Sequence, residues 1–346
     1  MKTMLKWAAV AAAVAAAGAY VVARTAACAS RAMSFRDKVV VITGGSRGLG
    51  LLLARRFGDD GAKLVICSRN DEELRQAQKE LHNRGVDVEA VHADVRLKIA
   101  VEDIIRTAVE TYGGIDVLVN NAGVIQVGPM EEMTEQDYDE AMDTHFWAPL
   151  HAMNAALPVM RGRGGGRIVN ISSIGGKIGV PHLAPYCASK FALTGLSQSA
   201  TTELRKDNIY VTTVYPNLIR TGSPRNALFK GRHTEEYTWF ALGDSLPLLS
   251  QSAERAADRI VRACRHGAPE LVTGVPAALA VRFHAMMPWL SLEMAALADR
   301  FILPEPGGIG TLRARGYQSE TPVTQSALTA LTQSAAAANN EKLNTQ

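Results

Sequence analysis

The chain has 346 residues, of which 47% are hydrophobic and 21% charged, and its formal net charge is +3. This is ample for one large globular domain, alone or with appendages. Charges of both signs are mixed along the chain without a basic block, so nucleic acid is not an expected partner. Four scattered cysteines show neither the density of a disulfide framework nor the spacing of metal ligands, so a reducing compartment is the simpler interpretation.

The first segment is apolar from Leu5 to Ala23, with Lys6 near its start and Arg24 directly after it. Its length approaches the thickness of a bilayer, which favours a retained N-terminal membrane anchor. A cleaved signal peptide is the alternative, with Ala27–Ala29 as the small-residue cleavage site. Arg24 lies between the apolar run and that site and argues against cleavage. We expect an anchor, with the following domain on the cytoplasmic side.

A dinucleotide site is predicted next. The apolar run Lys38–Thr43 is followed by a glycine-rich turn, a helix, and a second strand at Lys63–Cys67. Glycines let the backbone approach a pyrophosphate closely, and the helix N-terminus offers free N–H groups and a positive dipole. The candidate binding residues of this turn are Gly44, Ser46, Arg47, Gly48, Leu49 and Gly50.

The residues after the second strand indicate which dinucleotide binds. An acidic side chain there would bind the ribose of NAD(H). Here Ser68 and Arg69 occupy the position. Arg69 and Arg47 are suited to a 2′-phosphate, which a guanidinium binds as a planar fork. The sequence therefore favours NADP(H), with NAD(H) as the alternative.

Strands and helices then alternate, which predicts an α/β fold with a doubly wound parallel sheet of about seven strands. Further strands are expected at Val86–Val91, Ile115–Asn120, Gly166–Ile171, Ile209–Tyr215 and Glu270–Thr273. Helices are expected at Leu97–Tyr112, Thr134–Met160 (bent near Pro149), Ala184–Arg205 and Ser252–His266. In such folds ligands bind at the carboxyl ends of the strands, and the motifs at Gly44, Ser68, Asp94 and Asn120 all lie there.

A candidate catalytic group follows the fifth strand. Ser173 stands 13 residues before Tyr186, and Lys190 lies four residues after Tyr186, one helical turn away. An ammonium beside a phenol favours the phenolate and lowers the phenol pKa. The three side chains are suited to moving a proton to or from a carbonyl or alcohol oxygen.

The sequence from Asp37 to Gly274 resembles the short-chain dehydrogenase/reductase family. The resemblance rests on TGGSRGLG (43–50), Asp94, NNAG (120–123), Ser173, YCASK (186–190) and the 216–221 turn. It implies hydride transfer between a nicotinamide and a carbonyl or alcohol carbon, with Tyr186 as acid or base, Lys190 on the nicotinamide ribose and Ser173 on the substrate oxygen. It implies further cofactor contacts from Asp94, Val95, Asn121, Ala122, Gly123, Pro216, Ile219 and Thr221, and a role for Asn120 in steadying the sheet.

Two positions depart from the family pattern. His145 stands where a catalytic asparagine is usual. It either relays protons through a water, or packs without a chemical role, or marks a slow enzyme. Asn217 replaces the usual glycine after Pro216, and asparagine tolerates the backbone angles of such a turn.

The chain is divided into an anchor and linker (1–36), the Rossmann-type domain (37–275), an apolar helical extension broken at Pro288 (276–303), and a flexible tail (304–346) with a weak helix near 328–338. Residues 222–251 are either an apolar lid over the substrate or ordinary packing. The extension lies on a membrane surface, forms a dimer contact or packs on the core.

Two functions are compared. The first is a membrane-anchored NADP(H)-dependent reductase or alcohol dehydrogenase acting on a lipophilic carbonyl or alcohol of ketoacyl, sphingoid, retinoid or steroid type. The second is an NADPH-binding scaffold or redox sensor with little turnover, suggested by His145 and the long tail. The family resemblance also implies a homodimer or homotetramer formed through the long helices.

Overall fold

Seven apolar runs form a parallel sheet at the centre of the molecule. The computed structural model describes residues 28–246 and 250–341, together with Trp7 and a few isolated positions up to residue 26. The strands are β1 (Val39–Thr43), β2 (Lys63–Ser68), β3 (Val88–His92), β4 (Val117–Asn120), β5 (Gly166–Ile171), β6 (Ile209–Tyr215) and β7 (Glu270–Val272). Their order across the sheet is β7-β6-β5-β4-β1-β2-β3. The predicted doubly wound parallel sheet is confirmed.

Helices cover both faces of this sheet because its strands are apolar on both sides. They are α1 (Gly48–Asp59), α2 (Asp71–Asn83), α3 (Lys98–Tyr112), α4 (Glu135–Met142), α5 (Ala148–Gly162), α6 (Ala184–Glu203), α7 (His233–Ser245) and α8 (Ala253–Arg265). Alternate strand residues enter two separate cores. Val40 and Ile42 pack with α1, α2 and α8, whereas Val39 and Val41 pack with α3 and α5.

The strand order reverses between β1 and β4, which are neighbours in the sheet. Crossovers leave these two strands in opposite directions, so a crevice opens at their carboxyl ends. The glycine-rich turn follows β1 and the 120–123 loop follows β4. The topology therefore places both motifs at the same crevice.

The helix predicted over Thr134–Met160 differs in detail from the structure. Thr134 caps α4, and its backbone N–H donates to the Asp137 carboxylate at 2.8 Å. One π-helical turn, Asp143–Trp147, then separates α4 from α5. The irregularity begins before Pro149, which lies in the first turn of α5, where a missing N–H is tolerated. The helix is therefore interrupted by a π-helical turn, which contains His145, and not by a bend at Pro149.

Beyond β7 the chain continues as two helices, α9 (Val275–Met286) and α10 (Pro288–Ile302), which break at Pro288 as predicted. Most of their large apolar side chains are exposed; Trp289 and Phe301 are each 72% exposed. The structure therefore does not show α9 and α10 packed into the core, which was one of the three interpretations of this extension.

The segment after α10 was predicted to be a flexible tail, whereas the structure shows it paired with and packed against the domain. Ala314–Arg315 pairs antiparallel with Leu228–Phe229, and the helix α11 (Ala330–Ala338) forms near the position expected for a weak helix. Arg313 lies 2.8 Å from the Asp137 carboxylate. Polar and ionic contacts, which its composition did not reveal, pack residues 304–341 against the domain.

Two expectations lie largely or wholly outside the described residues. These are the anchor at Leu5–Ala23 and the Pro247–Leu249 part of the apolar run near the substrate segment. Within the part of the chain that the structure describes, no helix has both the length and the hydropathy needed to cross a bilayer.

Candidate active site

Tyr186 and Lys190 lie in the first two turns of α6, which begins just after β5 and the following loop. Pro185 occupies the first turn, where its fixed φ angle suits a helix start. The Lys190 ammonium donates to the backbone oxygen of Ile171, the last residue of β5, at 2.8 Å. It lies 5.6 Å from the centre of the Tyr186 ring. The i, i+4 spacing therefore brings both groups to the end of the sheet, as predicted.

Ser173 completes this group. It follows β5 and is only 9% exposed. Its hydroxyl accepts a hydrogen bond from the Gly175 N–H at 3.1 Å and is hydrogen-bonded to the Tyr186 phenol. One oxygen atom placed between Ser173 and Tyr186 would receive two hydroxyl hydrogen bonds.

Burial dominates the electrostatics of these groups. It raises the pKa of Tyr186 to about 12, and the hydrogen bond from Ser173 opposes that rise. It lowers the pKa of Lys190 to about 7. We expected the lysine to lower the phenol pKa, but Lys190 points to a backbone oxygen and is itself desolvated. The Tyr186 phenol is therefore protonated at neutral pH, the state that a proton donor requires.

His145 lies against Tyr186 with an edge-to-face ring contact of 5.5 Å. The backbone N–H of Val124 donates to its Nε2 at 3.1 Å, so Nε2 carries no proton. Its Nδ1 lies 2.8 Å from the Ser189 hydroxyl, which donates to the Tyr186 backbone oxygen. Nδ1–H is therefore the donor to Ser189. Burial, assisted by Lys190, holds the His145 pKa well below its usual value.

Both ring nitrogens of His145 thus have protein partners and the ring is neutral. The proton relay through a water, one of the three interpretations of this residue, would need a free ring nitrogen. The geometry instead connects the 120–124 loop to α6. Val124 and Ser189 were not recognised from the sequence, because their roles arise from the π-helical turn that orients the histidine.

The glycine-rich turn has the backbone conformation that its sequence requires. Gly44 and Gly48 have φ angles of +67° and +53°, which favour glycine. A Cβ at Gly50 would lie 2.0 Å from the Gly44 oxygen, so α1 passes very close to the turn. The Asn121 amide donates to the oxygens of Thr43 and Gly44, each at 3.0 Å. The two loops therefore form one rigid cradle at the N-terminus of α1, which fits a dinucleotide pyrophosphate.

Other predicted residues surround this cradle. The Thr43 hydroxyl accepts from the N–H groups of Asn121 and Ala122, at 3.0 and 3.1 Å. Asn120 donates to Asn170 on β5 at 2.8 Å, inside the sheet. A Cβ at Gly123 would meet His145 at 3.2 Å. The remaining predicted cofactor residues on the β1 side, Ser46 and Leu49, also belong to this turn and the start of α1.

The two arginines assigned to a 2′-phosphate lie at this same end of the sheet. Arg47 is 3.2 Å from the Glu73 carboxylate, and Arg69 is half exposed and 3.9 Å from Asp94. Asp94 is paired more closely, at 2.6 Å, with Arg96, a partner that the sequence did not single out. Ser68 accepts from the Asn70 N–H at 3.2 Å, and Val95 is buried in the core below.

The 216–221 turn forms the opposite wall of the crevice. Leu218–Arg220 is a short strand that pairs with Ser250–Ser252. Ile219 packs against the core, and the backbone oxygen of Pro216 accepts from the Ile174 N–H. Thr221 is buried and lies 3.8 Å from where a Cβ of Gly48 would be. The predicted nicotinamide-side and phosphate-side residues therefore face one another.

Known proteins resemble this chain over the same region. A family model described as short chain dehydrogenase matches residues 38–228, which is more than half of the chain. The chain belongs to the short-chain dehydrogenase family. It is accordingly an oxidoreductase that acts on alcohol or ketone groups of small molecules and binds a nicotinamide cofactor.

This short-chain dehydrogenase is similar to two curated sequence relatives and to a solved structure. A putative ketoacyl reductase of Streptomyces coelicolor is 38% identical over 54% of this chain and 72% of its own length. The uncharacterized oxidoreductase YxnA of Bacillus subtilis is 34% identical over 74% of this chain and 70% of its own. The structure of L-sorbose reductase from Gluconobacter frateurii, complexed with NADPH and L-sorbose, has a TM-score of 0.62 at 27% identity, covering 70% and 97% of the two chains.

Proposed function

We propose that this short-chain dehydrogenase is an NADP(H)-dependent reductase, or alcohol dehydrogenase, that acts on a lipophilic carbonyl or secondary alcohol. The observation that carries the proposal is the convergence of Ser173, Tyr186 and Lys190 at the end of β5, beside the glycine cradle. Hydroxyl and phenol face the same space, and the ammonium lies behind them. Ketoacyl, sphingoid, retinoid and steroid compounds are the substrate classes that we propose.

The roles follow from the protonation states. The glycine cradle from Gly44 to Gly50 would hold a nicotinamide dinucleotide, which in its reduced form would supply a hydride for a carbonyl carbon. Tyr186, with a pKa of about 12, donates its proton to the carbonyl oxygen, and Ser173 hydrogen-bonds that oxygen. Lys190, close to its pKa of about 7, stabilises the negative charge that develops on the phenol. His145 acts as a positioning residue through Val124 and Ser189.

A preference for NADP(H) is supported by the charges around β2. Arg69 follows the strand where an acidic side chain would bind an NAD ribose, and Arg47 lies at the adjacent turn. Both are suited to a 2′-phosphate. The L-sorbose reductase structure with a similar fold contains NADPH, which agrees with this assignment.

A lipophilic substrate is supported by the surroundings of Tyr186. The ring packs on an apolar cluster that contains Leu183, Phe229 and Phe240, with Trp239 at its edge. The helix α7 contributes two of these side chains and is fastened by the buried Glu236, which lies 2.7 Å from His182. Apolar side chains beside a reacting carbonyl favour substrates with hydrocarbon groups.

The test is a screen of ketones and alcohols with NADPH and NADP⁺, with lipid carbonyls first. We expect Tyr186→Phe to lose at least about a hundredfold in kcat/KM, because the general acid is removed. NADPH affinity should change little. Tyr317→Phe removes a hydroxyl from an exposed tyrosine and should be fully active. Full carbonyl reduction by Tyr186→Phe would contradict the mechanism.

An NADPH-binding scaffold or redox sensor is the second candidate. It is favoured by His145, whose ring is neutral and has both nitrogens hydrogen-bonded within the protein. This candidate predicts tight NADPH binding without hydride transfer to any member of a broad ketone panel. Turnover of a single lipid ketone at ordinary enzymatic rates would reject it.

We propose that the protein is a homodimer or homotetramer, which its resemblance to the family supports.

We also propose that residues 5–23 anchor the protein in a membrane with the domain on the cytoplasmic side. The support is the apolar N-terminal run in the sequence. Alkaline carbonate extraction of membranes from cells that express the full chain should leave the protein in the pellet. Its release into the supernatant would reject the anchor.

A further inference from the structure

The C-terminal segment 330–341 lies directly on the glycine cradle. The backbone N–H of Gly48, at the start of α1, donates to the Asn339 oxygen at 2.8 Å. The Asn340 amide donates to the backbone oxygens of Ser46 and Glu73, each at 3.0 Å. An N–H group that is suited to a phosphate oxygen therefore already has a partner from the same chain.

Glu341 places a carboxylate where phosphate chemistry is expected. Its Oε1 lies 2.5 Å from the position that a Cβ of Gly48 would take. Its Oε2 is 3.7 Å from the Arg47 guanidinium and accepts from the Asn226 amide. The residue is only 4% exposed. A buried carboxyl group beside a helix N-terminus and an arginine has the contacts that a dinucleotide phosphate would make.

Further contacts fasten the segment from both ends. The Thr332 hydroxyl lies 2.8 Å from that of Ser245 and donates to the Asp244 carboxylate at 3.2 Å. Arg55 on α1 donates to the Ala338 oxygen at 3.0 Å. Ala336 packs against Gly222 so closely that a methyl group at Gly222 would overlap it. The segment therefore bridges the two walls of the crevice.

A pyrophosphate in the cradle and the segment in this position would occupy the same space. We infer that residues 330–341 are an autoinhibitory pseudo-ligand that competes with the dinucleotide, so that NADP(H) binds only after the segment leaves the cradle. This inference rests on the proposed function, because it needs the cradle to be the NADP(H) site. The apparent dissociation constant for NADPH then equals the intrinsic constant divided by the fraction of molecules with the segment released.

Two full-length variants provide a matched test. Ala336→Glu places a carboxylate against Gly222 and should release the segment. Ala337→Glu makes the same charge change one residue later, on the exposed side of α11. By isothermal titration calorimetry, we expect Ala336→Glu to bind NADPH at least about tenfold more tightly than the unmodified protein, and Ala337→Glu to match the unmodified protein. Equal affinities for all three proteins would overturn the inference.

Hydrogen–deuterium exchange of the unmodified protein gives a second readout that needs no substitution and no turnover. Saturating NADPH should speed amide exchange in residues 330–341 while slowing it in residues 44–50. Unchanged or slower exchange in the C-terminal segment would overturn the inference and leave the proposed function intact. Absence of NADPH binding by all three proteins would reject the proposed cofactor, and the inference with it.

Discussion

The two parts of the C-terminal extension have opposite composition and opposite burial. The helices α9 and α10 are rich in large apolar side chains, yet Trp289 and Phe301 are each 72% exposed. Residues 304–341 are rich in alanine, threonine and glycine, yet Thr332, Asn339 and Glu341 are all under 10% exposed. Hydropathy alone would predict that α9 and α10 are buried and that residues 304–341 are exposed.

The difference shows that burial depends on a complementary surface as well as on hydropathy. Ala336 is buried because Gly222 leaves room for it, and Thr332 because Asp244 and Ser245 supply hydrogen-bond partners. A polar side chain with partners is buried at little net cost. Within the described residues, no comparable surface covers the outer face of α9 and α10.

The largest effect on stability is expected at the buried ion pairs of Asp137, one of which contacts the C-terminal extension. Asp137 is fully buried and lies 2.5 Å from Lys230, which is 1% exposed, and 2.8 Å from Arg313. Asp137→Ala leaves the buried Lys230 ammonium without its carboxylate partner, while Arg313 keeps its two hydrogen bonds to Glu140. We expect a loss of about 3–5 kcal/mol in the free energy of unfolding, measured by urea denaturation.

Asp103 provides the matched control, because it pairs with Arg106 at 2.8 Å on the exposed side of α3. Asp103→Ala should change the free energy of unfolding by no more than about 0.5 kcal/mol. A loss below about 1 kcal/mol for Asp137→Ala would mean that the buried contacts of Asp137 with Lys230 and Arg313 contribute little to stability.

An intermediate effect is expected from pH, which should change how strongly residues 330–341 dock on the glycine cradle. While the segment is docked, burial raises the pKa of Glu341 and of its neighbour Asp244 on α7 to about 7, from ordinary values of 4.5 and 3.8. The docked state therefore binds more protons than the released state between those values and pH 7. Docking is strongest below the ordinary pKa values and weakens as pH rises toward 7, with no further loss above that.

The groups that face Glu341 are Arg47 and Glu73, and those that affect Asp244 are Arg220 and Glu341. We expect the NADPH affinity of the unmodified protein, divided by that of Ala336→Glu at the same pH, to rise at least about tenfold between about pH 5.5 and pH 7.5. The ratio removes the titration of the cofactor phosphate. A ratio that is flat or falls with pH would contradict this linkage.

The smallest effect is expected on α9 and α10. Trp289→Ser and Phe301→Ser should each change the free energy of unfolding by less than about 0.5 kcal/mol, since both side chains are already in contact with solvent. Phe57→Ala, on the buried face of α1, should cost about 3–5 kcal/mol by comparison. A loss above about 1.5 kcal/mol for Trp289→Ser would show that this face is covered in solution.

Much of the fold was predictable because its signals are local. Seven apolar runs, each followed by a turn or helix pattern, specified the parallel sheet, and the Gly44–Gly50 turn required a strand before it and a helix after it. The i, i+4 spacing of Tyr186 and Lys190 placed them together without any knowledge of the sheet. Burial of the phenol and the ammonium, which sets their pKa values, could not be read in the same way.

The sheet, the glycine cradle and the group of Ser173, Tyr186 and Lys190 could be derived from the sequence, because each depends on short-range periodicity and on residue types with narrow conformational or chemical roles. The tertiary structure alone decided the neutral state of His145, through a π-helical turn and two hydrogen-bond partners. It also decided that a polar C-terminal segment lies in the cradle. Both depend on contacts between residues far apart in the chain, and no local pattern encodes such contacts.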